Sequence, residues 1–260
     1  MLNEEALNEF EELFDKIYPN QINLKSFEKK DTLNPKIWKD GTMRKLVRVR
    51  LVNIAKDFIE DLKMGLHIED IVIVGSIAGY NWSKFSDIDL HIVIDFAKYS
   101  NLGNHDTLKE LFDMKKNNWN EKHNVLIFGY PVEMYIQDIN EFPGSDGVYS
   151  VLYNKWNQFP TGNHVPIERE LIKALASQYI NIIDILADYT EECHSKRACK
   201  ILKEEVRKIH DEIVNGRRAA IAKDGEYGAR NIVFKVLRRT GHLGKLRELK
   251  VILNDKINSI

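Results

Sequence analysis

The sequence predicts an α/β (α+β) protein in two parts: residues 1–165 with a short mixed sheet, and an all-α C-terminal part over residues 166–260. Three observations carry this. Short β-branched runs alternate with amphipathic helical stretches in the first part. A Gly- and Pro-bearing segment, EFPGSDGVYSVLYNKWNQFPTGNHVP, then interrupts the pattern near residue 165. From Glu168 onward the apolar spacing is helical throughout.

The elements follow in order. Leu7, Phe10, Phe14 and Ile17 are spaced for a helix over 4–17, which Tyr18-Pro19 would end. A polar stretch broken at Asn34-Pro35 leads to a strong helix over 43–63, with Val47, Leu51, Ile54, Phe58 and Leu62 on one face. Residues 70–75 and 87–95 read as strands joined by a loop, 105–118 as a helix, and NVLIFGY with PVEMYIQD as a hairpin. GVYSVLYN is a further short strand or an arm. Helices are expected over 168–189, 195–214, 229–240 and 242–257, with a break at 215–229 where Gly216, Gly225 and Gly228 cluster.

Composition bounds the function. The 260-residue chain is 43% hydrophobic and 30% charged, so it reads as globular. The net charge of -1 hides an asymmetry: Cys193 to Ile260 holds 17 Lys and Arg against 8 Asp and Glu. That balance suits an anionic partner or a solvated helical surface. Cys193 and Cys199 match no zinc spacing and imply no disulfide framework. The acidic N-terminus lacks the basic start and apolar stretch of a signal peptide, and no run of about 18 apolar residues exists. The expectation is a cytoplasmic protein that does not enter membranes.

The stretch IVIVGSIAGYNWSKFSDIDLHIVID holds the chemistry. Strand side chains alternate, so Asp87 and Asp89 point the same way with backbones about 7 Å apart. Two buried carboxylates repel, and a cation between them would relieve that repulsion. Gly75-Ser76 ends the preceding strand, where a Gly lets backbone N–H groups approach an anion and Ser adds a hydroxyl. Magnesium is held by oxygen ligands, one or two carboxylates plus phosphate oxygens and water. A third acid should come from an adjacent strand. Glu133 fits, sharing a face with Tyr135 in an otherwise apolar run, and Asp138 at the strand exit is the weaker candidate. Turn or edge-strand roles for these acids, and a helix cap for Ser76, are the structural alternatives.

Gly75-Ser76, ten residues, Asp87-Ile88-Asp89, then an acid on a later strand resembles the DNA polymerase β-like nucleotidyltransferase superfamily, and in particular its small bacterial and phage members. The motif spans residues 70–138. The resemblance implies a nucleotidyltransferase core in which Asp87, Asp89 and Glu133 are catalytic and bind Mg²⁺ or Mn²⁺, two ions in all. It also implies triphosphate contacts at Gly75 and Ser76. The third acid is Glu here, where many members have Asp.

Lys84 and Ser86, in the loop before the aspartates, are further candidates for nucleotide contact, although an exposed loop lysine is ordinary. Tyr149 is either a base-stacking or a core residue. His91, by alternation, shares the aspartate face and is either structural or near a ligand. In the helical part, Arg217, Arg218, Arg230, Lys235, Arg238 and Arg239 form basic clusters. Arg230, Lys235 and Arg239 are the candidates to hold a nucleoside triphosphate or an RNA backbone.

The expected reaction moves a nucleoside monophosphate from a nucleoside triphosphate to an acceptor hydroxyl and releases pyrophosphate. The acceptor is an RNA 3′ end (tRNA or other), a second nucleotide that yields a cyclic or linear messenger, or a protein or small-molecule hydroxyl. A catalytically inactive nucleotide- or RNA-binding module is the alternative class.

Overall fold

The computed structural model describes residues 22–162 and 166–259. The expected helix at 4–17 lies outside the described residues. The described chain falls into two compact units, an α/β unit over 25–162 and a helical unit over 166–259 that also takes in residues 22–24.

The α/β unit is a mixed sheet with helices on one face. A two-stranded ribbon, β1 (Trp38–Lys39) and β2 (Thr42–Met43), leads into helix α1 (Lys45–Leu62). Strands β3 (Asp70–Val74) and β4 (Ile88–Ile94) follow, then helix α2 (His105–Lys122). Next come β5 (Leu126–Ile127), β6 (Tyr130–Asp138), β7 (Val148–Ser150) and β8 (Lys155–Gln158). The order across the sheet is β5-β6-β4-β3-β7-β8. Only β4 and β6 run parallel, and α2 makes the crossover between them.

Period-two alternation sorts the sheet into two unlike faces. One carries Ile71, Ile73, Ile88, Leu90, Ile92, Ile94, Val132 and Met134, all buried against Val47, Leu51, Ala55 and Phe58 of α1 and Leu108, Phe112 and Trp119 of α2. The other carries a smaller apolar cluster, Val72, Val74, Val93 and Val148. The acids Asp89 and Glu133 stand on that second face, opposite each other in register. GVYSVLYN resolves into β7 and the turn after it. Arg48 fastens that turn by donating to the carbonyls of Val151 (2.7 Å) and Leu152 (2.6 Å).

Two contacts fix the elements that bear the acids. The Trp38 indole, stacked on Trp156 and edge-on to Tyr149, donates to the carbonyl of Ile77 at 2.8 Å and so pins the turn after β3. On the far side, Asn120 of α2 pairs with both backbone groups of Met134, accepting from its N–H at 3.0 Å and donating to its carbonyl at 3.2 Å. The side-chain amide thus completes the hydrogen bonding of β6 between Glu133 and Tyr135.

The helical unit holds α3 (Arg169–Glu192), α4 (Lys196–Asp224), α5 (Ala229–Arg239) and α6 (His242–Ser259). Sequence spacing placed a break at 215–229, but α4 continues through Gly216 to Asp224, and the break narrows to the turn at 225–228. Gly216 costs the helix about 1 kcal/mol relative to Ala without ending it, and a Cβ there would lie 3.0 Å from Nη1 of Arg230. The glycine makes room for a side chain instead of ending the helix. Gly225, at φ 69°, does end it.

Cys193 and Cys199 are a second correction, since they form a disulfide with Cα atoms 5.9 Å apart. The Ser195 side chain caps α4 by accepting from the Ala198 N–H, and that turn folds Cys199 back beside Cys193. The spacing alone shows no such return. Lys256 of α6 closes the same corner by donating to the carbonyls of Thr190, Glu191 and Cys193.

Two outcomes follow. All four tryptophans (Trp38, Trp82, Trp119 and Trp156) lie in the α/β unit, so their fluorescence reports its unfolding alone. Asn120→Ala leaves a buried N–H and C=O of Met134 unpaired and should lower the stability read this way by about 1–3 kcal/mol per group. Reduction of the disulfide should cost the helical unit about 2 kcal/mol on the chain-entropy estimate. Amide exchange should show it as lost protection at the facing ends of α3 and α4, and unchanged protection there would count against the bond.

Candidate metal centre

The parallel pairing of β4 with β6 sets Asp89 beside Glu133, and residues paired in this way point to the same face. Asp87 stands two residues earlier, at the entrance to β4. One carboxylate oxygen from each of Asp87, Asp89 and Glu133 lies within 4.8 Å of the other two, and all three residues are half-buried. Three carboxylate oxygens this close, on half-buried side chains, repel one another whenever all are ionised. A hard divalent cation with oxygen ligands fits the donor set: there is no sulfur and no imidazole among the three, which matches Mg²⁺ or Mn²⁺ chemistry.

Gly75 makes the cluster possible. Its φ of 72° and ψ of -159° suit glycine alone, and a Cβ at this position would lie 2.1 Å from Oδ2 of Asp89. The residue therefore supplies space for the carboxylate. Its backbone N–H, expected on phosphate, donates instead to Oγ of Ser145 at 3.0 Å, and the Ser145 hydroxyl donates in turn to the carbonyl of Gly147 at 2.9 Å. Gly147 in turn sits so close to the turn that a Cβ would meet the Ala78 carbonyl at 1.8 Å. The loop before β7 is packed directly against the Gly75–Ala78 turn.

The Ser76 and Ser86 hydroxyls, both candidate nucleotide contacts, bond to each other at 2.8 Å, Ser76 donating. Ser86 Oγ also accepts from the Ser83 N–H at 2.9 Å. Together they tie the end of β3 to the start of β4 and fix where Asp87 begins. Lys84 lies exposed in the same loop, its ammonium 5.2 Å from the centre of the Phe85 ring.

Tyr135 and His91 complete the centre. The Tyr135 hydroxyl donates to Oε2 of Glu133 at 2.8 Å. Burial, and then the nearby carboxylates of Asp89 and Glu133, push its pKa far above the usual phenol range, so the hydroxyl keeps its proton. His91 lies on the same face with its ring 4.8 Å from that of Tyr135. Its Nδ1 bonds Oε1 of Gln137 at 2.7 Å, and Gln137 donates onward to the Glu141 carbonyl at 2.6 Å. Burial lowers the His91 pKa and so favours the neutral ring. Lys116 of α2 brings its ammonium to 4.1 Å from the centre of the Tyr135 ring.

The structure brings together Asp87, Asp89 and Glu133, with Gly75, Ser76 and Ser86 around them. Asp138 does not join them. It is buried and accepts from the Phe96 N–H, which caps the exit of β4. Tyr149 is a correction to the expected nucleotide contacts: it pairs with Ile73 on the opposite, helix-covered face, 1% exposed among Trp38 and Trp156. Arg230, Lys235 and Arg239 belong to the helical unit. Arg230 reaches Glu212 (3.9 Å) and Tyr179 (3.4 Å), and Lys235 pairs with Glu226 at 3.6 Å. Sequence reading missed the parts played by Ser145, Lys116 and Gln137. Stepping by two from Glu133 reaches Tyr135 and Gln137, whereas Ser145 and Lys116 come from a loop and a helix that carry no local signal.

The geometry defines a mixed α+β protein with a three-carboxylate centre on two parallel strands. No protein-family model matches the chain, and no curated protein or solved structure matches it. No helix among the described residues is long and apolar enough to cross a membrane.

Gly75→Ala should be costly at this site. This glycine-only backbone conformation costs an L-residue about 1–3 kcal/mol, and the clash forces Asp89 aside. Mn²⁺ binding, followed by electron paramagnetic resonance, should weaken by roughly 10-fold or more. Retained affinity would show that Asp89 has room to spare.

Proposed function

We propose that the α/β unit is a metal-dependent nucleotidyltransferase that moves a nucleoside monophosphate from a nucleoside triphosphate to an acceptor hydroxyl. The observation that carries this reading is the in-register pair of Asp89 and Glu133, joined by Asp87 within 4.8 Å, beside the Gly75 turn. Asp87 and Asp89 with Glu133 would hold Mg²⁺ or Mn²⁺, which supplies Lewis acidity toward the phosphates and lowers the acceptor's pKa. The acceptor oxygen attacks the α-phosphorus, and the bond from that phosphorus to the bridging oxygen breaks. The electron pair leaves with pyrophosphate. The acceptor's proton passes to Glu133 or to water. Charge develops on phosphoryl oxygens, so most of the catalysis is electrostatic and positional.

An RNA 3′ end is the acceptor favoured by the surplus of basic residues after Cys193. A nucleotide acceptor is the second reading. It is favoured by the pairing of Arg230 with Glu212 and Lys235 with Glu226, which engages two of the basic side chains that an RNA backbone would need.

Incubation with each labelled nucleoside triphosphate, Mg²⁺ or Mn²⁺ and total RNA, followed by separation of RNA, protein and small products, tests the reaction and its acceptor together. Asp87→Asn and Asp89→Asn should each reduce transfer by about 10²–10³-fold or more. Their melting temperatures should stay the same or rise, because one charge leaves a repelling group. Near-normal turnover in either variant would remove the centre from the mechanism.

A further inference from the structure

We propose that Tyr135 is a positioning residue for the metal centre: by holding Oε2 of Glu133 it fixes which oxygen of that carboxylate is presented to the cation. The proposal rests on the reading of Asp87, Asp89 and Glu133 as a metal site.

Glu133 is the longest of the three acids and has one more rotatable bond than either aspartate. Left alone it would sample several rotamers, and ordering it would weaken cation binding. The Tyr135 hydroxyl removes that freedom at 2.8 Å, from two residues along the same strand and the same face. A hydrogen bond to a carboxylate is charge-assisted and directional, and the donor here is a protonated phenol.

The ring that carries this hydroxyl is itself held. Lys116 places its ammonium 4.1 Å from the ring centre, with only 18% of its side chain exposed, and a 3.0 Å bond to Asp113 steadies it. Asn120, one helical turn after Lys116, bonds both backbone groups of Met134, so α2 is in register with the very strand that bears Glu133 and Tyr135. His91 lies against the ring at 4.8 Å and is anchored through Gln137 to the Glu141 carbonyl. A tyrosine serving only to satisfy a half-buried glutamate would not need its ring fixed by two further elements.

The test is Mn²⁺ binding to the full chain, titrated alone and read by electron paramagnetic resonance, for wild type, Tyr135→Phe, Lys116→Met and Asp87→Asn. Tyr135→Phe keeps the ring and loses the hydroxyl. It should weaken Mn²⁺ affinity by roughly 10–100-fold, the range found when partners of metal ligands are removed. Lys116→Met, which loosens the ring, should fall between wild type and Tyr135→Phe, and this holds the test open if the phenylalanine variant folds poorly. In transfer assays Tyr135→Phe should raise the Mg²⁺ concentration needed for half-maximal rate and leave the KM for nucleotide nearly unchanged. Wild-type Mn²⁺ affinity in a folded Tyr135→Phe, with Asp87→Asn impaired, overturns the positioning role alone. If wild type binds no Mn²⁺, or Asp87→Asn binds as wild type does, the metal-centre reading falls and takes this proposal with it.

Discussion

The parallel register of β4 on β6 is the constraint on which the rest of the site depends. Leu90 opposite Met134 commits one face of both strands to the helix-covered core, and the same alternation commits Asp89 and Glu133 to the other face. A slip of β6 by one residue would turn Glu133 into the core and bring Val132 and Met134 out to the face of Asp89. The apolar face therefore enforces the polar one. The burial free energy of Ile88, Leu90, Ile92, Val132 and Met134 is what holds three mutually repelling carboxylates together.

Around that register the chain removes freedom from each acid by a different device. Asp89 is confined by a glycine whose missing side chain leaves just enough space. Asp87 is set by the hydroxyl bridge of Ser76 and Ser86. Glu133 is held by a phenol, and the phenol by a lysine and a histidine. These devices come from four stretches of sequence, and all of them lie within the α/β unit. Together they hold the three carboxylates in a fixed arrangement.

Much of this was legible in the sequence, for a physical reason. Period-two alternation is local, so the run from Asp87 to Asp95 gave the shared face of Asp87, Asp89 and His91, and PVEMYIQD gave that of Glu133 and Tyr135. The helix-rich part after Glu168 was equally plain from its spacing. Long-range geometry was not legible. Nothing near Tyr149 shows that β7 pairs with β3 with the ring turned to the core. Nothing near Cys193 shows that the turn at Ser195 returns Cys199 to it. Gly216 misled because a glycine that clears space for Arg230 and one that ends a helix look alike in one dimension. The amide of Gly75 was assigned to an anion because Ser145, seventy residues away, could not be known to claim it.

Asn120 has a consequence of another kind. Beyond its first residues, β6 is the outer strand on its side of the sheet, and an outer strand with free N–H and C=O groups is a template for a foreign strand. At Met134 those groups are already engaged by a side chain that imitates a neighbouring backbone. An extended segment from another chain cannot register there without displacing α2. The device that steadies the strand bearing Glu133 thus also guards that margin of the sheet against pairing with a second chain.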